Sequence, residues 1–76
     1  METLAKNLFI LRKRRGLSRE AVARALEISA GTYLRYEKNV RDPNAPLLVQ
    51  LADFFDVTLD QLVGRAPLPD TTDEGA

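Results

Sequence analysis

Between Leu17 and Asn39 the chain sets two short helical periods one after the other, with only Leu26-Glu27-Ile28-Ser29 to turn between them. Val22, Ala23 and Leu26 make one apolar face and Tyr33 with Tyr36 the next, at the three- and four-residue steps of an α-helix. Ser18 is placed to cap the first helix and Ser29 the second, each offering an oxygen to amides that a helix start leaves unpaired. Helices this short do not stand alone in water. Each must bury its face against the other and against a third element, which makes the turn rigid.

The flanking sequence supplies the remaining elements. Helix 1 is expected over about residues 3–15, with Leu4, Leu8, Ile10 and Leu11 on its apolar side, a basic last turn of Lys13, Arg14 and Arg15, and Gly16 as a left-handed stop. Helix 2 is expected over 19–26. It lacks a capping box because Ala21 stands where Glu or Gln would close one, although Glu20 favours the helix start through the dipole. Helix 3 is expected over 30–37, ending at Lys38-Asn39. Val40 to Pro46 reads as a loop in which Asn44 caps helix 4, whose apolar stripe is Leu47, Leu48, Leu51, Ala52 and Phe55. Thr58 and Gln61 form a capping box for a last helix that carries Leu59, Leu62 and Val63 and stops at Gly64. The expectation is an all-α fold, a five-helix domain over residues 1–64. Residues 65–76 hold two prolines and three acids with little to bury, and are expected to form a disordered acidic tail.

Seventy-six residues make one domain. There is no Cys and no His, which removes disulfides, thiol nucleophiles and the usual zinc sites. Ser18 and Ser29 are the only serines, both explained as caps, so catalysis is not expected. Asp53, Asp56 and Asp60 read as solvated helix and cap residues rather than metal ligands. No cofactor, metal or small-molecule substrate is expected. No apolar stretch approaches a membrane span and no secretory signal is visible, so a soluble cytoplasmic protein is the default expectation. Net charge is zero, but it is divided: residues 1–41 carry ten Lys and Arg against four Glu, and residues 42–76 carry one Arg against seven acids. The positive half coincides with the two short helices, the electrostatic footprint of a phosphate-binding surface.

An ordered series of motifs runs from Leu11-Arg12 and Arg15-Gly16-Leu17-Ser18 through Val22-Ala23 and Ile28-Ser29 to Thr32-Tyr33-Leu34-Arg35-Tyr36-Glu37. It continues through Arg41-Asp42-Pro43, Leu48 to Ala52, and Phe55-Asp56-Val57-Thr58-Leu59-Asp60-Gln61-Leu62. In this series the chain resembles the phage-repressor (Xre/Cro-like) helix-turn-helix family across residues 4–64. The resemblance implies a lambda-repressor-like domain with the helix-turn-helix at helices 2 and 3. It implies a bacterial or phage-type regulator of transcription, a repressor or autoregulator, that lays helix 3 in the major groove of double-stranded DNA. A homodimer on a near-palindromic operator is the usual form, with half-sites about 34 Å apart.

The same resemblance implies residue roles. Ala30, Gly31, Thr32 and Arg35 occupy the base-reading positions, where only Arg35 has a fork suited to guanine. Arg19 stands where relatives usually carry a phosphate-binding Gln, and Lys38, Arg41 and Asn44 are the other phosphate contacts. Arg12 and Glu37 occupy places that pair and bridge helix 1 to the end of helix 3. Ala23 marks the helix 2–helix 3 crossing, and Leu59, Leu62, Val63 and Phe54 or Phe55 are offered either to a dimer seam or to the chain's own core. The alternative is a protein-interaction module on the same fold, in which Ala30, Gly31 and Leu34 make a smooth contact with a protein partner.

Overall fold

All five helices end in the same way. The helices of the computed structural model, which describes residues 1–70, are α1 (Glu2–Arg14), α2 (Arg19–Leu26), α3 (Ala30–Glu37), α4 (Ala45–Phe54) and α5 (Leu59–Val63). After each one a residue in the left-handed region reverses the chain: Gly16, Glu27, Asn39, Asp56 and Gly64, with φ of 65°, 59°, 60°, 57° and 91°. The next amide then reaches back across the last turn, Leu17 to Arg12 O, Ile28 to Ala23 O, Val40 to Arg35 O, Val57 to Ala52 O and Arg65 to Asp60 O. This six-to-one closure satisfies carbonyls that a helix end leaves open. Leu17, Ile28 and Val57, which follow three of these stops, tuck against the core.

Four starts are equally local. Ser18, Ser29, Asn44 and Thr58 each accept the amide three residues on, and the Thr58 amide in turn donates to Gln61 Oε1 at 2.9 Å, completing the capping box. Pro46 falls in the first turn of α4, where the missing N–H costs nothing.

The core is drawn from every helix: Leu4, Leu8 and Leu11 of α1, Val22 and Ala23 of α2, Tyr33 and Tyr36 of α3, and Leu47, Leu51 and Ala52 of α4, with Phe55 and Leu62. α1 packs on α3 and α5, α2 on α3, and α4 on α5. Leu62 and Phe55 therefore close the monomer's own core, and Leu59 is left exposed. Ile10 does not join Leu4, Leu8 and Leu11. It lies about 100° around the helix from Leu11 and is exposed. Buried Asn7 is a polar link that periodicity does not signal; its Nδ2 donates to Gln61 O at 3.1 Å and Leu62 O at 3.0 Å, tying α1 to α5.

Two cations of the basic α1 end serve the fold. Arg15 Nη1 donates to Phe54 O at 2.9 Å, and Arg14 Nη1 to Pro69 O at 2.7 Å. With Leu68 packed against the core, residues 65–70 lie on the helical body, so the described part of the expected disordered tail is held by contacts its composition does not advertise. Residues 71–76 of that tail lie outside the described residues.

The two kinds of left-handed stop give opposite expectations. Glu27→Gly relieves a conformation costing an L-residue about 1–2 kcal/mol, part of it returned as chain entropy, and should raise stability by roughly 0.5 kcal/mol. Gly64→Ala should lower it by about 1–2 kcal/mol, because the new methyl is strained and runs into the Thr3 side chain. Thermal unfolding of both variants checks the pair of signs.

Candidate nucleic-acid interface

The α2–turn–α3 unit is assembled from short-range rules and one close approach. Ala23 is buried at 2% exposure, and its carbonyl takes the Ile28 amide at 3.0 Å as the chain turns through Glu27. Ser29 then starts α3, accepting the Thr32 amide at 3.0 Å and donating its hydroxyl proton to Thr32 Oγ1 at 2.9 Å. Tyr33 and Tyr36 point into the core, which leaves Gly31, Leu34, Arg35 and Lys38 on the outward side, with Ala30 and Thr32 half-buried beside them. A Cβ built on Gly31 meets nothing closer than Ser29 Oγ at 4.0 Å, so no packing demand explains the glycine.

Behind α3, three helices meet at one carboxylate. Arg12 Nε donates to Glu37 Oε2 at 2.6 Å, Arg12 Nη2 to Oε1 at 3.2 Å, and Arg19 Nε also to Oε1 at 3.0 Å. Arg12 Nη1 completes its set on Leu17 O at 2.9 Å. The side chains of Glu37, Arg12 and Arg19 are 1%, 8% and 33% exposed, so the first two are a buried pair and the third reaches solvent. Burial alone would push the Glu37 carboxyl up, and the contacts with Arg12, Tyr33 and Arg19 outweigh it, holding the group below its usual value. The hydrogen bond to Glu37, against burial, raises Arg12. Tyr33 is fully buried beside this cluster and its hydroxyl has no hydrogen-bond partner among the described residues. Burial first, and the Glu37 carboxylate second, push its phenol well above the ordinary range.

Arg19, at the first turn of α2, thus keeps its Nη nitrogens free of hydrogen bonds among the described residues while its Nε is occupied. Arg35, Lys38 and Arg41 are exposed, and among the described residues their side chains make no hydrogen bond or ion pair. Asn44 has its Oδ1 committed to the Leu47 amide at 2.9 Å. Positive groups therefore bracket the exposed side of α3: Arg19 at the start of α2, Lys38 at the α3 end and Arg41 in the following loop. Sequence spacing did not reveal that Arg19 shares Glu37 with Arg12, since that contact depends on how α2 crosses α3. Nor did it reveal the open groove of about 430 Å³ beside them, where Lys6, Phe9 and Ile10 of α1 face Arg19 and Lys38. Phe9 is 45% exposed there, with the Arg12 guanidinium 5.5 Å from its ring centre.

Two outcomes test this cluster. Tyr33→Phe removes a buried hydroxyl that lies beside the Glu37 carboxylate without a hydrogen bond among the described residues; it should leave stability within about 1 kcal/mol and raise the Glu37 value, read by chemical denaturation across pH. Because the folded Glu37 value is lowered, its pairing stabilises fully above its usual pKa of 4.5 and is lost as pH falls through the lowered value. Stability of the natural chain should therefore fall more steeply below that pH than that of the double variant Arg12→Met with Glu37→Met, measured by thermal unfolding across pH.

The Helix-turn-helix family pattern matches residues 8–62. The HTH-type transcriptional regulator AnsR of Bacillus subtilis strain 168 is 44% identical over 55 residues, covering 72% of this chain and 47% of that protein. The HTH-type transcriptional regulator ImmR of the same organism is 30% identical over 63 residues, covering 83% and 50%. The cryptic phage CTXphi transcriptional repressor RstR of Vibrio cholerae is 38% identical over 53 residues, covering 70% and 48%. The chain spans about half the length of these curated relatives. No solved structure matches it. The match over most of the five helices, together with the turn between α2 and α3, establishes that the chain belongs to the helix-turn-helix family, of the phage-repressor (Xre) type.

Proposed function

We propose that this chain is the double-stranded-DNA-binding part of a transcriptional regulator, a repressor or autoregulator that acts by occupying an operator inside the cell. The observation that carries the reading is the exposed side of α3. Arg35 and Lys38 stand there without protein partners among the described residues, and Arg19 and Arg41 flank them. Phosphate contacts supply affinity and register, and base-edge contacts supply specificity. Arg19, Lys38 and Arg41 are assigned the first task. Asn44 adds at most its amide Nδ2, because its oxygen is used as a cap. Arg35 is assigned the directional base contact, guanine O6 and N7 being the natural match for its fork. Ala30, Gly31 and Thr32 bring the backbone of α3 close to the groove, with a small apolar, a bare and a hydroxyl surface respectively. The names of the relatives, regulators of transcription and a phage repressor, support the same reading.

A near-palindromic operator read by a homodimer fits this assignment. With Leu62 and Phe55 in the core, Leu59 at 44% exposure, with half-buried Phe54 and Val63, is what remains for a seam between copies. The interaction-module reading draws on Leu34, exposed on the same side of α3 beside Ala30 and Gly31. Salt separates the two. Phosphate binding weakens steeply as salt rises, and an apolar protein contact does not.

Selection of bound duplexes from a random pool should return a two-half-site motif. Arg35→Ala should then relax one position of each half-site and weaken binding to the selected sequence by about 1–3 kcal/mol. Lys38→Ala and Arg41→Ala should weaken selected and unrelated duplexes alike, each lowering the slope of log affinity against log salt by roughly one. Salt-insensitive binding, or none to any duplex in dilute buffer by a folded chain, rules the reading out.

A further inference from the structure

We infer that Glu37 is a positioning residue for Arg19: its buried carboxylate fixes the Arg19 Nε and holds the Nη end of the guanidinium in place for a nucleic-acid phosphate. The inference rests on the DNA-binding reading and goes beyond it by assigning a task to a residue that itself touches no nucleic acid.

Three observations carry it. Glu37 is the last residue of α3 and Arg19 the first of α2, so the contact ties the start of α2, where a helix N-terminus favours an anion, to the end of the outward-facing helix. The carboxylate is anchored independently of Arg19, because Arg12 Nε and Nη2 grip both of its oxygens from α1, and its side chain is only 1% exposed. It is therefore a fixed acceptor rather than a mobile surface acid. The contact takes Nε, at 3.0 Å, and leaves the Nη nitrogens without a protein partner among the described residues. Of the three charged groups, Arg12 and Glu37 neutralise each other in the interior. The remaining positive charge is carried by Arg19, the member that reaches solvent.

A long arginine side chain that is free in solution must be ordered on binding, and one already held loses less. The sign of the effect separates this role from a simple charge effect. Removing Arg12 and Glu37 together leaves the net charge unchanged, so a purely electrostatic account expects no change in affinity. Positioning predicts a loss, and only when Arg19 is present.

The test is a cycle of four 76-residue chains on one labelled duplex, followed by fluorescence anisotropy: the natural chain, Arg19→Gln, the pair Arg12→Met with Glu37→Met, and all three changes together. Replacing both members of the buried pair by methionine avoids stranding a charge in the interior. The expected result is that the methionine pair weakens binding roughly three- to tenfold with Arg19 in place and has no effect when residue 19 is Gln. An equal loss in both backgrounds would assign Glu37 a structural role alone, and no loss in either would remove any role; both overturn the inference. Failure of the natural chain to bind any duplex sinks the DNA reading itself, an outcome the cycle registers separately in its first member. A second measurement needs no variant. In the DNA-free protein the ¹⁵Nε relaxation of Arg19 should report a rigid side chain and that of Arg35 a mobile one, and equal mobility of the two overturns the inference even if the methionine pair fails to fold.

Discussion

The Glu37 carboxylate sits where α1, α2 and α3 converge, and the orientation of the helix-turn-helix on its supporting helix depends on how that one group is satisfied. Burying a carboxylate and a guanidinium is expensive, and attraction repays the cost only where geometry is good and the remaining donors find partners. Here Arg12 spends both sides of its fork on Glu37 and a third nitrogen on Leu17 O. Losing one member of such a pair costs on the order of 3–5 kcal/mol, a large share of the ~5–15 kcal/mol that holds a typical domain together. Specificity of arrangement is the better description of what the pair supplies. It fixes the α3 end relative to α1, while the apolar contacts of Tyr33, Val22 and Leu8 provide the driving force for burial.

The starts of four helices were legible because each is written in a few residues. Ser18, Ser29, Asn44 and Thr58 cap α2 to α5 as their positions announce. Stops were legible only where the residue type is conformationally distinctive. Gly16, Asn39 and Gly64 carry that mark, whereas Glu27 and Asp56 take the same left-handed geometry without it. The readable signal in those two cases was the apolar residue that follows, Ile28 or Val57, which draws the chain back over the helix end. Ile10 is apolar but lies off the buried stripe of α1, so residue type assigns it to the core where angular position does not. Leu62 and Phe55 could not be divided between core and seam, since periodicity identifies a face but not what covers it.

At the candidate interface the division is similar. Which side of α3 faces outward follows from the buried pair Tyr33 and Tyr36, so Arg35 and Lys38 were readable as exposed. Contacts that depend on the crossing of two helices were not. Arg19 reaching Glu37, Asn7 reaching the α5 carbonyls and Arg15 reaching Phe54 O all span elements distant in sequence, and no spacing rule connects them. Charge counting had the same blind spot. It located the basic half of the chain but could not separate the cations that brace the fold, Arg12, Arg14 and Arg15, from those left open to solvent.

The uniform helix ends have a kinetic meaning. Every boundary except the start of α1 is decided within about six neighbouring residues, so these helix limits are biased before any long-range contact exists. The segments still need one another to persist as helices, and their pairing runs from neighbours, α2 on α3, to elements far apart in the chain, α1 on α5, so the local signals narrow a search that these contacts complete. A narrowed search shortens the interval in which the apolar faces of α1 and α4 stand open to another molecule.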